Sequence, residues 1–221
     1  MPRTRLKVCC IASAEEARLA VSLGADVLGL VSAMPSGPGP IADDAIAGIA
    51  HAVPPGVMTF LLTSRTEGDD IAAQARAAGV AAVQIVAHVD RAEHTRIRAG
   101  APNLRIVQVV HVEDGGAVGL ARAYAETADA ILLDSGRPAA AELGGTGRVH
   151  DWEISRDIVR AVAKPVFLAG GLKPENVARA VRQVRPFGVD LCSGVRTNDR
   201  LDAARLDAFA RALAQADATT V

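Results

Sequence analysis

Aromatic side chains are scarce in this chain. One Trp, one Tyr and four Phe make up 3% of 221 residues, although half of the sequence is hydrophobic. A core on that scale has to be assembled from Ala, Val, Leu and Ile, which suits a parallel sheet buried on both faces. So few flat rings also leave little for single-stranded nucleic acid to stack on. An excess of either charge is missing too: 24 Lys and Arg stand against 25 Asp and Glu, interspersed rather than in blocks. That argues against a polyanion groove and a basic membrane-binding face, so neither nucleic acid nor membrane is an expected partner. Cysteine is limited to Cys9, Cys10 and Cys192, with no CxxC spacing, so no metal site is expected. Three thiols, two of them adjacent, cannot all pair, and a reducing cytoplasmic compartment is the simplest reading. No long apolar run follows the two early arginines, and charges resume at Glu15-Glu16. Neither a signal peptide nor a transmembrane span is expected.

What is present is alternation. Short runs rich in Val, Ile and Leu, bounded by Gly, Pro, Asp or Ser, fall at residues 6–10, 26–31, 57–62, 81–86, 105–110, 130–133, 165–169 and 188–191. Longer amphipathic stretches separate them, such as 14–23 and 70–78. Ser13 ahead of Glu15-Glu16 reads as a helix start, an oxygen cap followed by acids in the first turn. Gly24 and Gly79 read as helix stops leading into the next strand. Eight such alternations imply parallel strands with right-handed crossovers. No run has the polar character of an exposed edge, so closure is expected: a single (β/α)8 TIM barrel over residues 1–221. The open doubly wound sheet is the alternative, but its GxGxxG turn is replaced here by Cys10-Ile11-Ala12-Ser13. Residues 33–40 and 135–150 are too rich in Gly and Pro for helix or strand, and read as loops on the active face.

In a barrel the C-terminal ends of the strands converge on one cavity. Cys9 ends the first strand and Asp134 the sixth, while Gly170-Gly171 and Ser193-Gly194 end the last two. A thiol and a carboxyl above a phosphate cradle form a proton-transfer site, with no cofactor required. Along the first strand Lys7 and Cys9 share one face, and Val8 and Cys10 the other. One cysteine is thus expected to face the barrel interior and the other the helices. Both could equally serve as small buried hydrophobes. A Lys7 ammonium nearby would favour the Cys9 thiolate. Asp134 either caps the turn at Ser135-Gly136 or projects into the active face, where partial desolvation would suit it to act as a general acid. Backbone N–H groups at Gly170, Gly171, Ser193 and Gly194 are expected to bind phosphate, because barrels commonly do so after strands seven and eight. Gly144-Gly145-Thr146-Gly147 reads as a loop that approaches a ligand closely.

A series of segments in this order resembles one family: Lys7-Val8-Cys9, Gly24-Ala25-Asp26, Ala82-Val83-Gln84, Leu133-Asp134-Ser135, Gly144-Gly145-Thr146-Gly147, Asp151-Trp152, Leu168-Ala169-Gly170-Gly171-Leu172, Pro174-Glu175-Asn176-Val177, and Gly188-Val189-Asp190 through Ser193-Gly194-Val195. The family is phosphoribosylanthranilate isomerase, the barrel enzyme of tryptophan biosynthesis. The resemblance implies a cofactor-independent Amadori rearrangement of a small phosphorylated sugar-amine. Asp134 would protonate the furanose ring oxygen and Cys9 would take the proton from the second sugar carbon. Asp190 would contact the substrate hydroxyls, with Lys7 and Gln84 as further substrate-binding positions. Gly171, Ser193 and Gly194 would hold the phosphate.

The departures from the family pattern cluster. The Ser-Pro-Arg turn after strand two, whose arginine meets the anthranilate carboxylate, is here Met34-Pro35-Ser36-Gly37-Pro38-Gly39-Pro40, without a cation. Val86 stands at the family's histidine, Cys10 at a glycine, Cys192 at a serine and Arg196 at a glutamate. Losing the arginine would weaken carboxylate binding by roughly 2–5 kcal/mol. One of Arg65 and Arg137, Arg65 first, is expected to replace it, each having a solvated surface arginine as the plainer alternative. Two other readings stay open: an isomerase of a phosphorylated aminosugar without the benzoate, and a non-catalytic sugar-phosphate-binding barrel. The apolar outer helical faces leave the oligomeric state open.

Overall fold

A computed structural model describes residues 3–136 and 149–219. The loop glycines Gly144, Gly145 and Gly147, with Thr146 and Arg137, lie outside the described residues. Eight parallel strands, each paired with the next in sequence, close between first and last: β1 Arg5–Val8, β2 Val27–Val31, β3 Met58–Thr63, β4 Ala82–Ile85, β5 Arg105–His111, β6 Ala130–Asp134, β7 Val166–Leu168 and β8 Gly188–Leu191. The connecting helices are α1 Ala14–Ser22, α2 Asp43–Ala52, α3 Gly68–Ala78, α4 Arg91–Gly100, α5 Gly116–Ala125, α6 Trp152–Ala161 and α7 Pro174–Val184, and α8 Ala203–Ala218 ends the fold. The expected TIM barrel is the observed one. No described helix is long and apolar enough to cross a membrane.

The expected helix start at Ser13 is real, its hydroxyl accepting from Glu16 N–H at 3.2 Å. The first two strands are shorter than the apolar runs, for specific reasons. Cys10 has φ +62°, a left-handed backbone that ends strand pairing just past Val8. Asp26 is a staple rather than a strand residue: its carboxylate accepts from Leu6 N–H and from the Arg3 and Arg5 guanidiniums. One small element escapes the sequence pattern. Antiparallel β9 Arg196–Thr197 and β10 Arg200–Leu201 enclose Asn198 and Asp199, at φ +51° and +61°. Two left-handed residues form the favoured tight hairpin turn, and Asn and Asp tolerate that backbone best after glycine.

Two apolar regions sandwich the sheet. One packs strands against helices, with Leu6, Val8, Leu28, Leu61, Ile85, Ile106 and Leu168 among its members. The other fills the barrel with Val27, Phe60, Ala82, Val107, Leu132 and Phe167, the two phenylalanines meeting edge-on at 5.9 Å. The alternation along β1 holds as far as Val8, which faces the helices. Cys10 departs from it: both Cys9 and Cys10 belong to the barrel interior. The left-handed turn at Cys10 rotates its side chain back inward, so the expected division of the two thiols between faces does not occur.

Behind β4 and β5 lies a buried polar relay. Gln108 Nε2 donates to the carbonyls of Ile85 and Ala87, and its Oε1 accepts from His94 Nε2 at 3.0 Å. His94 Nδ1 meets the Thr127 hydroxyl at 2.8 Å, from which the neutral ring accepts. This fixes the backbone on either side of Val86. Burial holds His94 below the ordinary imidazole value, and burial pushes His150 down to about 4. A histidine depressed in the fold stays neutral there while the unfolded chain takes up protons below about 6.5. Stability is therefore full above that pH and lost as the pH falls through the window below it. Urea unfolding at a series of pH values should show this acid limb. His94→Gln should flatten it by up to about 1.4 kcal/mol per pH unit.

Candidate active site

One cavity opens at the C-terminal ends of the strands. Its walls include Cys9, Cys10, Gln84, Asp134, Gly170, Gly171, Asp190, Cys192, Ser193 and Gly194. Eight of the expected site residues thus line a single space: Cys9, Asp134, Gln84, Asp190, and the two glycine and serine turns. Cys9 and Asp134 sit on strands three steps apart round the barrel, so they face the cavity from different walls.

Cys9 follows β1, its N–H donating to Leu191 O at 2.8 Å across the β1–β8 seam. Its side chain fits only because Gly29 on β2 has none. A Cβ at Gly29 would lie 2.8 Å from Cys9 Sγ and 3.0 Å from Lys7 Nζ. Nothing in the apolar run of β2 marks this glycine as part of the site, and the signal was there only as a glycine inside a strand. Lys7 is fully buried, with its ammonium 2.8 Å from Asp190 Oδ2. It does not line the cavity, but backs Asp190, which does. Burial opposes the Lys7 charge, yet the Asp190 carboxylate first and then the Cys9 thiolate outweigh it and hold the ammonium well above its ordinary value. Burial pushes the Asp190 carboxyl up, and Lys7 offsets this in part. Asp190 Oδ1 and Gln84 Oε1 are buried acceptors with no hydrogen-bond partner among the described residues.

Three sulfurs meet beside Cys9. A hydrogen bond from the Cys10 thiol, against the opposing effect of burial and with the help of Lys7, holds Cys9 below the ordinary thiol value. Cys10 is pushed strongly up by its contacts with the Cys192 and Cys9 thiols, and so stays protonated as the donor. Its sulfur also lies 3.5 Å from Pro38 O, a second acceptor for the one thiol proton, in the loop after β2. Asp134, at the end of β6, accepts from its neighbour Ser135 N–H at 2.7 Å while also lining the cavity. The capping and active-face alternatives for Asp134 are therefore both realised.

The two turns after β7 and β8 touch each other. Gly170 and Gly171 have φ of +81° and +62°, and Gly171 O accepts from Asn176 Nδ2 at 2.9 Å. Asn176 Oδ1 in turn accepts from Lys173 N–H, closing the first turn of α7 over Pro174. A short 3-10 turn, Ser193–Val195, follows β8. A Cβ at Gly194 would lie 2.2 Å from Leu172 O, so only glycine allows the turns to pack. The wall across from them is apolar: Val31, Met34, Leu62, Val86 and Val109. Arg65 is not brought to this cavity. Its N–H is held by Thr63 Oγ1 at 3.3 Å as the chain leaves β3 for α3, and its side chain is exposed. Among the described lining residues there is no cation.

Fold and site together define a parallel (β/α)8-barrel enzyme with a thiol and a carboxyl at one mouth. Residues 6–212 match the family model for N-(5'phosphoribosyl)anthranilate (PRA) isomerase, and the chain belongs to that family. The N-(5'-phosphoribosyl)anthranilate isomerase of Methanocella arvoryzae is 36% identical over 203 residues, covering 92% of this chain and 94% of that one. The Haloferax volcanii isomerase is 38% identical over 196 residues, 88% of this chain and 86% of its own. Among solved structures, the Thermotoga maritima phosphoribosyl anthranilate isomerase superposes with a TM-score of 0.81 at 29% identity, covering 96% of this chain and 99% of that one. A phosphoribosyl anthranilate isomerase in complex with reduced 1-(o-carboxyphenylamino)-1-deoxyribulose 5-phosphate gives 0.79 at 28% identity, with the same coverage.

The thiol electrostatics are open to test. Lys7→Met removes a charge that lowers the Cys9 value, and leaves a buried carboxylate without its partner. Iodoacetamide alkylation of Cys9, followed against pH, should shift to higher pH. Unfolding free energy should drop by about 3–5 kcal/mol.

Proposed function

We propose that this chain converts N-(5'-phosphoribosyl)anthranilate to its 1-amino-1-deoxyketose phosphate, with Asp134 as general acid and Cys9 as general base. The observation that carries the assignment is a depressed thiol and a carboxyl lining one cavity, beside paired glycine turns, in a chain of this family. Asp134 gives a proton to the furanose ring oxygen, the C1–O bond breaks, and the nitrogen lone pair forms a Schiff base. The Cys9 thiolate then takes the C2 proton, and the electron pair moves into C1=C2 as the iminium collapses to an enolamine. Proton transfer from the C2 hydroxyl and to C1 gives the ketone. C2 is oxidised by the two electrons that reduce C1, so the rearrangement needs no external redox partner and no cofactor. A general base must be deprotonated at the working pH, and a thiol held below its usual range meets that condition.

The remaining groups fit the rest of such a substrate. Asp190 Oδ1 and Gln84 Oε1 offer acceptors to sugar hydroxyls, with Lys7 fixing Asp190 from behind. Gly170, Gly171, Ser193 and Gly194 supply the phosphate turn. The apolar wall of Val31, Met34, Leu62, Val86 and Val109 suits an aromatic ring. Three thiols in one chain with no disulfide accord with a cytoplasmic location. The cation-free loop after β2 favours a second reading, a phosphorylated aminosugar substrate without the ring carboxylate.

Phosphoribosylanthranilate fluoresces, and its loss on isomerisation gives the assay. Wild type should turn it over, while Cys9→Ser and Asp134→Asn should each lower kcat by about 10²–10⁴-fold. Gly194→Ala, which drives a methyl group into Leu172 O, should act chiefly through a higher KM. Turnover of an amine analogue lacking the carboxylate, with none of phosphoribosylanthranilate, would replace the first reading by the second.

A further inference from the structure

Arg196 is a charged side chain that the proposed chemistry does not use, yet it is only 8% exposed. It leaves the end of the 3-10 turn that carries Ser193 and Gly194, and reaches back under β1. Its Nη1 and Nη2 meet Glu16 Oε1 and Oε2 at 3.1 and 3.0 Å, a two-pronged pair with α1. Nη2 also donates to the carbonyl of Cys10, and to that of Cys9 at 3.5 Å. Nη1 further donates to Asp199 O at 2.8 Å, inside the β9–β10 hairpin. Glu16 completes the web, accepting from Ala12 N–H at 3.0 Å and from Leu201 N–H at 2.9 Å.

Every bond in this web joins one of two segments. One is the stretch from Cys9 to Ala12 that follows the thiol, including Cys10 in its left-handed backbone. The other is the stretch from Ser193 to Leu201 that follows β8. We propose that the Arg196–Glu16 pair is a positioning device that sets the distance between the Cys9 thiol and the phosphate turn. This rests on the function proposed above, because a proton at a sugar carbon is delivered to the base only if the anchored phosphate holds that carbon in register. Glu16 largely neutralises Arg196, so the pair acts through geometry rather than through its field on the thiol. Planar guanidinium suits the task, since it alone binds a carboxylate with two parallel bonds while still reaching carbonyls. Displacement of a reacting atom by about 1 Å can cost about 10²-fold in rate.

The test uses Arg196→Gln, Arg196→Lys and Glu16→Gln in the intact chain, with two readouts. For phosphoribosylanthranilate turnover, Arg196→Gln and Glu16→Gln should lower kcat about tenfold or more. Their KM should stay within about threefold, since the phosphate turn itself is intact. Arg196→Lys should recover part of the lost kcat. The second readout is iodoacetamide alkylation of Cys9, resolved from Cys10 and Cys192 by mass spectrometry. It should quicken about fivefold or more in both glutamine variants as the buried thiol loses its clamp. Glu16→Gln keeps one of the two acceptor oxygens, for Leu201 N–H or for Ala12 N–H, and decides the matter where Arg196→Gln does not fold. An alkylation rate within about twofold of wild type, or a loss confined to KM, overturns the proposal. Absence of turnover in wild type would refute the assigned substrate, and the alkylation readout would still decide the clamp.

Discussion

The barrel closes where β1 meets β8, and Lys7 and Asp190 are direct register partners at that seam. Both point into the barrel and both are buried, with the ammonium and carboxylate 2.8 Å apart. Neither charge could be carried into such a place alone, because desolvation of a single ion costs several kcal/mol or more. The pair therefore selects the register in which the last strand joins the first. A slip of one residue would turn one of the two charges toward the helices, and a slip of two would separate them along the strand. Everything at the mouth inherits that choice. Cys9 sits beside the ammonium, Asp190 keeps its second oxygen without a partner at the cavity wall, and Gly29 leaves the space the Lys7 and Cys9 side chains occupy.

Much of this was legible in the sequence because a barrel converts order along the chain into place in space. Eight apolar runs with helices between them determine which residues end strands, and strand ends meet at one mouth. Cys9, Asp134 and the two late glycine turns followed from that rule alone. What the alternation rule could not reach was the residue beyond a strand's last regular pair. Cys10 shows this: one positive φ reverses its direction and places it among the interior thiols rather than the helices. Gly29 was hidden for the opposite reason, because it is regular strand and its role lies in the absence of a side chain beside two neighbours distant in sequence. Arg65, exposed, does not line the cavity. Its number places it just past a strand end, but the chain has already turned toward α3 there.

The departures from the family pattern also sort themselves in space. Cys10 takes a position where glycine is usual, and its left-handed backbone is the conformation that glycine adopts without cost and other residues adopt at about 1–2 kcal/mol. In return its side chain occupies the space beside Gly39, where a Cβ would lie 2.6 Å from Cys10 Cβ. Its sulfur packs 3.5 Å from Pro38 O. The altered loop after β2 and the altered residue after the thiol are thus complementary surfaces, each needing the other. Replacing either alone leaves a clash or a gap.

Arg196 belongs to the same pattern on the other flank of the thiol. Its guanidinium takes up the carbonyl of the strained residue, so the energy stored at Cys10 is opposed by a hydrogen bond from a charged donor, the stronger kind. The thiol is consequently held from three directions. Leu191 fixes its backbone across the seam, Pro38 and Gly39 fix the side chain that follows it, and Arg196 fixes the carbonyls between. A base that abstracts a proton from carbon cannot rely on a strong hydrogen bond to its target to find the right place, because a C–H is a poor donor. Its position has to be imposed by the protein. Here that imposition comes from residues outside the proposed acid–base pair: Leu191, Pro38 and Arg196.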